Sequence, residues 1–403
     1  MLRGITGRII VAVTLTAGCS SNAEDGMCES GACEALAEIS TPQTKLLPSV
    51  GGGNFGHSID FQGDTAVVGA IGGRGSVYVF QRSLDGWSEQ ARLLASDGAE
   101  DDFFGDSVAL YGKTIVVGAP YADDNGDLSG SAYVFAWDGS AWTEQAKLLP
   151  HEGTADERFG ESVALSGDTA VVGTVTAGAY VFQRHGDVWT QYAKLLPDCG
   201  LDPDDLVGQA VALSGDTVLV GGILDDDRAK NAGGVYAFGR GAGKQTAKDK
   251  FIASDGSADA WFGGSLALHG TTAVIGASGD DGEAESAGAA YVFQRSGETF
   301  EEDVKLVPRD VSKDDRFGFS VSLWGNTLVV GAVADDAQGS FAGSAYVFKR
   351  RDGEWTEQTK LLAVGGEKAD LFGHAIGVWG NTVLIGAPGD DATGSVTVHE
   401  LRD

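Results

Sequence analysis

The 403-residue sequence carries 58 Asp and Glu against 28 Lys and Arg, a formal charge of −30, and 61 Gly against 8 Pro. A summed field of that sign repels phosphate, which excludes nucleic acid and anionic membrane surfaces as partners. Frequent glycine with no three-residue period excludes collagen, and 42% hydrophobic with 21% charged residues is the balance of a globular chain rather than a disordered one.

The first element in chain order reads as an export signal over residues 1–18. Arg3 and Arg8 precede the apolar run Ile-Ile-Val-Ala-Val at residues 9–13, and the small pair Ala17-Gly18 stands directly before Cys19. The run is too short to span a bilayer, and no later segment is long enough. Ala17-Gly18-Cys19 resembles a bacterial lipobox, although Thr16 stands where an aliphatic residue is usual. The resemblance implies lipidation at Cys19, with Ser20 resembling the lipoproteins sent to an outer membrane. Cleavage as an ordinary secreted protein is the alternative. Residues 19–40 lack periodicity and read as a tether, within which Cys28 and Cys33 can pair in an oxidising compartment and leave Cys199 single.

From residue 41 onward the chain repeats itself. Phe-Gly stands at Phe55, Phe104, Phe159, Phe262, Phe317 and Phe372, with Val207-Gly208 as a seventh copy, at intervals of about fifty residues. Each copy then carries a Gly and a Thr two residues apart (Gly63/Thr65 through Gly380/Thr382) and a further Gly at the end of an apolar run (Gly69 through Gly386). Tyr-Val-Phe follows at Tyr78, Tyr133, Tyr180, Tyr291 and Tyr346, with variants at Tyr236 and Thr397. The copy closes on a segment ending in Lys/Arg-Leu-Leu.

These landmarks predict four short strands per copy, the first two joined by a tight Gly-Asp or Gly-Asn turn. Seven such copies predict an all-β, seven-bladed β-propeller of four-stranded antiparallel blades over residues 41–403. The last copy stops after its third strand, and Thr44-Lys45-Leu46-Leu47 supplies a fourth-strand signature before the first. The N-terminal strand is therefore expected to complete blade seven and close the ring without an open edge.

Phe-Gly followed by Val-Val-Gly-Ala-Pro at residues 116–120, and by Leu-Ile-Gly-Ala-Pro at residues 384–388, resembles the FG-GAP repeat. The chain looks like a bacterial FG-GAP repeat protein, similar in its propeller to the head of integrin α-subunits. Integrin-type blades often carry a calcium loop between the first two strands. Here that place holds only a short turn, with no room for six to eight oxygen ligands.

Acids recur elsewhere. Pairs expected at one position follow the third framework glycine: Asp123-Asp124, Asp225-Asp226, Asp280-Asp281, Asp335-Asp336 and Asp390-Asp391. A second series, Asp101, Asp156, Asp204, Asp259 and Asp314, stands three residues before the Phe-Gly position. Strand direction puts both series on one face of the disc. Arg82, Arg184, Arg240, Arg295, Lys349, Arg350 and Arg351, which follow Tyr-Val-Phe, fall on the other. The Asp of the second series read equally as turn formers through their own backbone. The pairs repel, which favours a cation such as calcium, and Asp123, Asn125 and Asp127 alternate as ligands would. The residue after Phe-Gly is His57 in blade one, Asp106 in blade two and His374 in blade seven, so these three are expected near the channel mouth. They read either as a metal site or as residues hydrating the channel.

No nucleophile elbow, zinc-protease motif or phosphate loop is present. Trp87, Trp142, Trp189 and Trp355 share one outer-strand position and read as packing between blades. The expected function is an extracytoplasmic binding or adhesion module, a monomer reaching the membrane only through its lipid. It presents an acidic loop face to a protein or glycan ligand at the cell surface. A glycan lyase or hydrolase on the same scaffold, and a structural envelope lipoprotein, are the alternatives.

Overall fold

A computed structural model describes residues 43–197, 205–239, 243–245 and 247–402. The chain parts into Met1–Ile39 and the compact unit Ser40–Asp403. The expected signal peptide, Cys19, the tether with Cys28 and Cys33, and Cys199 all lie outside the described residues.

Seven antiparallel sheets succeed one another along the chain. Blade one is Phe55–Gln62, Thr65–Ala70, Ser76–Ser83 and Gly86–Leu93 from axis to rim, and blade five repeats it as Phe262–His269, Thr272–Ala277, Ala289–Ser296 and Thr299–Leu306. Blade three gains a fifth strand, Gly243–Gln245, which pairs in parallel with its outer strand Val188–Leu195. No helix long and apolar enough to cross a membrane occurs among the described residues.

The second strand of each blade reads as an unbroken apolar run because both of its faces are covered by neighbouring blades. Thr114–Ala119, Thr217–Gly222 and Thr327–Ala332 are buried at every position. Outer strands alternate instead, as in Gly86–Leu93, whose odd-numbered residues are screened and even-numbered ones open. The hairpin glycines, such as Gly270 at φ 62°, sit in the left-handed region that makes the turn tight. In five blades the third and outer strands pair through a bulge after the Val of Tyr-Val-Phe, at Val79/Phe80 and at Val292/Phe293 for instance.

The Phe-Gly pair joins one blade to the next. Its Phe is sealed from solvent and meets the Tyr of Tyr-Val-Phe edge-on, with Phe55 and Tyr78 ring centroids 5.3 Å apart at 83°. Its Gly carbonyl accepts a hydrogen bond from a serine hydroxyl of the preceding blade. Ser58 bonds Gly105, Ser107 bonds Gly160, Ser162 bonds Gly208, Ser265 bonds Gly318 and Ser320 bonds Gly373, at 2.7–2.9 Å. The same carbonyl lies so close to the second strand of the preceding blade that a Cβ at Gly118 or Gly331 would collide with it. Glycine is obligatory there for lack of space.

The ring closes as the repeat phase requires. Thr44–Leu46 pairs antiparallel with Ser395–Glu400, Lys45 opposite Thr397, and so completes blade seven beside Ile376–Trp379 and Thr382–Ala387. Phe55 bridges Gly394 just as Phe104 bridges Gly75.

Candidate ligand-binding face

The loop after each second strand begins at a blade's buried centre and ends at its surface, which gives its two acids different fates. The first acid is buried: Asp225, Asp280 and Asp335 are at most 3% exposed. A lysine from the outer strand of the same blade reaches each one, Lys250 to Asp225 at 2.5 Å, Lys305 to Asp280 at 2.9 Å and Lys360 to Asp335 at 2.6 Å. The tyrosine of the third strand donates to the same carboxylates, from Tyr236, Tyr291 and Tyr346. A further acid from the loop of the preceding blade joins the clasp, as Asp255 does at 2.9 Å from Lys305 and 2.7 Å from Tyr291. Asp97 on Lys147 and Asp310 on Lys360 repeat this. Burial pushes the Asp225 and Asp335 carboxyls up, but the lysine bonds outweigh it and hold both below the usual range. The paired acids raise Lys250 and Lys360, and burial with the same acids raises Tyr236 and Tyr346, so in blades four and six the carboxylate and the ammonium are charged at neutral pH while the tyrosine keeps its proton.

The second acid is exposed and pins its own loop. Asp226 accepts from the Asn231 amide at 2.5 Å, Asp281 from Ser286 at 2.8 Å and Asp336 from Phe341 at 2.8 Å, each through Oδ1. Blade two departs from the expected register. Gly130 donates to the Ala122 carbonyl as Gly233, Gly288, Gly343 and Gly394 donate to Asp225, Asp280, Asp335 and Asp390. Asp123-Asp124 therefore sits one residue late: Asp123 caps Leu128 at 2.8 Å, and Asp124 pairs with Lys147 at 2.6 Å as Asp227 pairs with Lys250. In blade seven Asp390 pairs with Lys45 at 2.5 Å and accepts from Ser395, while Asp391 is exposed. Asn125 and Asp127 are exposed in the same turn as Asp123.

The Asp series before Phe-Gly has a backbone role. Asp101, Asp156, Asp259 and Asp314 all lie at φ between 58° and 67°, which Asp tolerates better than most residues. Their amides donate to carbonyls of the preceding blade's loop, at Gly73, Asp127, Lys230 and Glu285. Both acidic series thus meet on one face. Asp204 lies outside the described residues. One residue further on, Asp315 is buried, and burial together with Asp335 pushes its carboxyl up to about 6.

At the channel mouth, His57, Asp106 and His374 do meet. His57 Nε2 lies 3.2 Å from Asp106 Oδ1, the two imidazoles are 4.7 Å apart, and His374 Nδ1 is 3.0 Å from the His57 carbonyl oxygen. Burial and His57 lower His374 to about 4, while burial and Asp106 raise the adjoining Glu161 to about 7. Among the described residues, no three His, Cys, Asp or Glu side chains are arranged to hold a metal ion.

On the opposite face three of the arginines bind the preceding blade through hydrogen bonds, while Arg351 is exposed. Arg82, Arg184 and Arg295 donate to the framework threonines Thr382, Thr114 and Thr217. Arg240 lies outside the described residues. Trp142 and Trp189 also bind across blades, to Gln90 and Gln145 at 2.9 Å. Sequence reasoning missed the clasp lysines and tyrosines as partners of the acids. Their signal was available in the repeated Lys of Lys-Leu-Leu.

Fold and face define a seven-bladed β-propeller whose blades are joined through Phe-Gly and whose loops present pinned acids on one side. The chain belongs to the FG-GAP repeat family, whose model matches it seven times, over residues 41–80, 87–135, 142–186, 189–238, 246–293, 300–348 and 355–398. Five of the matches start within the outer strand of one blade and run to the third strand of the next, the same phase that closes the ring. Among solved structures it is similar to the crystal structure of the Myceliophteria thermophila Cps50 (Swd1) β-propeller domain. The TM-score is 0.60 at 11% identity, covering 89% of this chain and all of that one. A search of curated proteins found no match.

Proposed function

We propose that the protein is an extracytoplasmic binding module, a monomer tethered to the outer membrane through Cys19, that engages a protein or glycan ligand with its acidic loop face. The reading is a binding protein, not an enzyme. The observation that carries it is the exposed series Asp123, Asp226, Asp281 and Asp336. Each has one carboxylate oxygen fixed by a backbone amide of its own loop, and Oδ2 makes no bond among the described residues. Acids held in fixed positions lose little entropy on binding a cationic group. The export-type N-terminus supports the location. Calcium at the same acids is a second reading, favoured by Asp123, Asn125 and Asp127 standing exposed in one turn.

The test is a screen of the mature protein against glycans and envelope proteins, repeated with D123N, D226N, D281N and D336N combined. Asn keeps the Oδ1 cap and removes the charge, so folding should persist while capture falls and loses its salt sensitivity. Undiminished capture by the variant would discard the acidic face as the site. A melting temperature identical in calcium and in chelator would discard calcium.

A further inference from the structure

The Lys–carboxylate–Tyr clasp is complete in blades two, four, five and six, whereas blade three holds only part of it. Tyr180 faces Lys194 across the strands as Tyr291 faces Lys305, and the ammonium lies 4.8 Å from the Tyr180 ring against 5.1 Å in blade five. The loop that should deliver the acid is cut to residues 174–178. It holds no acid and is closed on itself by Thr174, whose hydroxyl accepts from Ala177 N and donates to the Gly178 carbonyl. Two buried polar atoms are consequently left without a partner, Tyr180 Oη and Glu157 Oε2, on residues 0% and 7% exposed. Lys147, Lys250, Lys305 and Lys360 each hold two carboxylates; among the described residues Lys194 holds none.

We propose that blade three is a carboxylate-binding site, in which an acid from outside the chain takes the place that Asp280 fills in blade five, accepting from Tyr180 Oη and pairing with Lys194. Glu157 does not bar such a group. Blade six carries the same combination, with Asp315 at the position of Glu157 beside Asp335, Lys360 and Tyr346. There two acids share one clasp, burial and Asp335 raising the Asp315 carboxyl to about 6. An aspartate side chain reproduces the sister blades most closely, and a chain-terminal carboxylate offers the same chemistry. The site is separate from the exposed acids proposed above. Its ligand is an anion approaching an acidic face, so added salt should leave its binding unchanged or tighten it, whereas a cation bound to the loop acids is weakened. The two readings therefore fail separately.

The test uses the full chain and three probes: sodium acetate against sodium chloride at equal ionic strength, acetyl-Gly-Asp-Gly-amide, and acetyl-Gly-Gly-Gly with a free carboxylate. The second and third distinguish a side-chain acid from a terminal one. A saturable rise in melting temperature with acetate and at least one peptide is expected, and Y180F and K194M should each weaken it about tenfold or more. Replacing residues 174–178 by residues 277–289, which bring Asp280, should fill the site internally and abolish the response. Equal behaviour in acetate and chloride would overturn the proposal. So would binding that Y180F leaves unchanged.

Discussion

His399 stands in blade seven where Phe80, Phe135, Phe182, Phe238, Phe293 and Phe348 stand in the others, packed against Phe372 with ring centroids 6.1 Å apart. It is 1% exposed and its Nε2 has no partner. Burial lowers its pKa from 6.5 to about 4. Between those values the unfolded chain takes up a proton that the folded chain refuses, so stability falls as pH falls through this window, by up to about 3 kcal/mol. Above about pH 6.5 the proton contributes nothing. H399F should raise the urea midpoint at pH 7, by removing an unsatisfied nitrogen, and raise it further at pH 4.5. Parallel loss of stability in both proteins on acidification would refute the assignment. That His399 departs from Tyr-Val-Phe was legible in the sequence; that it is sealed without a partner was not. The same limit hid the fate of the acid pairs. Asp280 and Asp281 look alike in sequence, and only Lys305 and Tyr291, brought in from other strands, separate the buried one from the exposed one.

Between elements, the recurring contact is a serine hydroxyl on the Phe-Gly carbonyl of the next blade, and two blades lack it. Ala210 and Ala375 occupy the serine position in blades four and seven. S320A leaves the Gly373 carbonyl short of a half-buried donor and should cost about 1 kcal/mol, whereas A210S supplies a hydroxyl toward Gly263 and should gain a similar amount. Equilibrium unfolding of the two variants checks the opposite signs, and a loss in both would mean that the site of Ala210 is too tight for an extra atom. The strands, the hairpins and their order were legible because each depends on neighbours in sequence. The Gly331 contact with Gly373 and the Arg82 bond to Thr382 were not, because partners in different blades leave no local pattern. For blade two the repeat pattern itself misled by one residue. The Ala122 carbonyl, not that of Asp123, receives the Gly130 amide, a choice made by backbone geometry rather than by spacing of acids.

For the molecule as a whole, one three-residue strand decides whether there is a ring. Thr44–Leu46 supplies the rim of blade seven through three paired positions, the Lys45–Asp390 bridge and the buried Leu46, which packs with Val396 and Val398. Without it Ser395–Glu400 becomes an exposed edge, and such an edge recruits strands from other chains. The repeat phase places this dependence on the far terminus at one seam only, since every other blade draws its four strands from one stretch of sequence, interrupted only in blade four by Gly243–Gln245, which pairs with blade three. A chain beginning at residue 48 should therefore unfold at lower urea than one beginning at residue 41 and should self-associate, read by light scattering after gel filtration. The first blades to lose protection from hydrogen exchange should be one and seven, which share the cluster around Leu46. Equal midpoints, both chains monomeric, would mean that the remaining blades hold the ring shut without the seam. In that case stability would be distributed blade by blade, as in an open solenoid, rather than depending on closure.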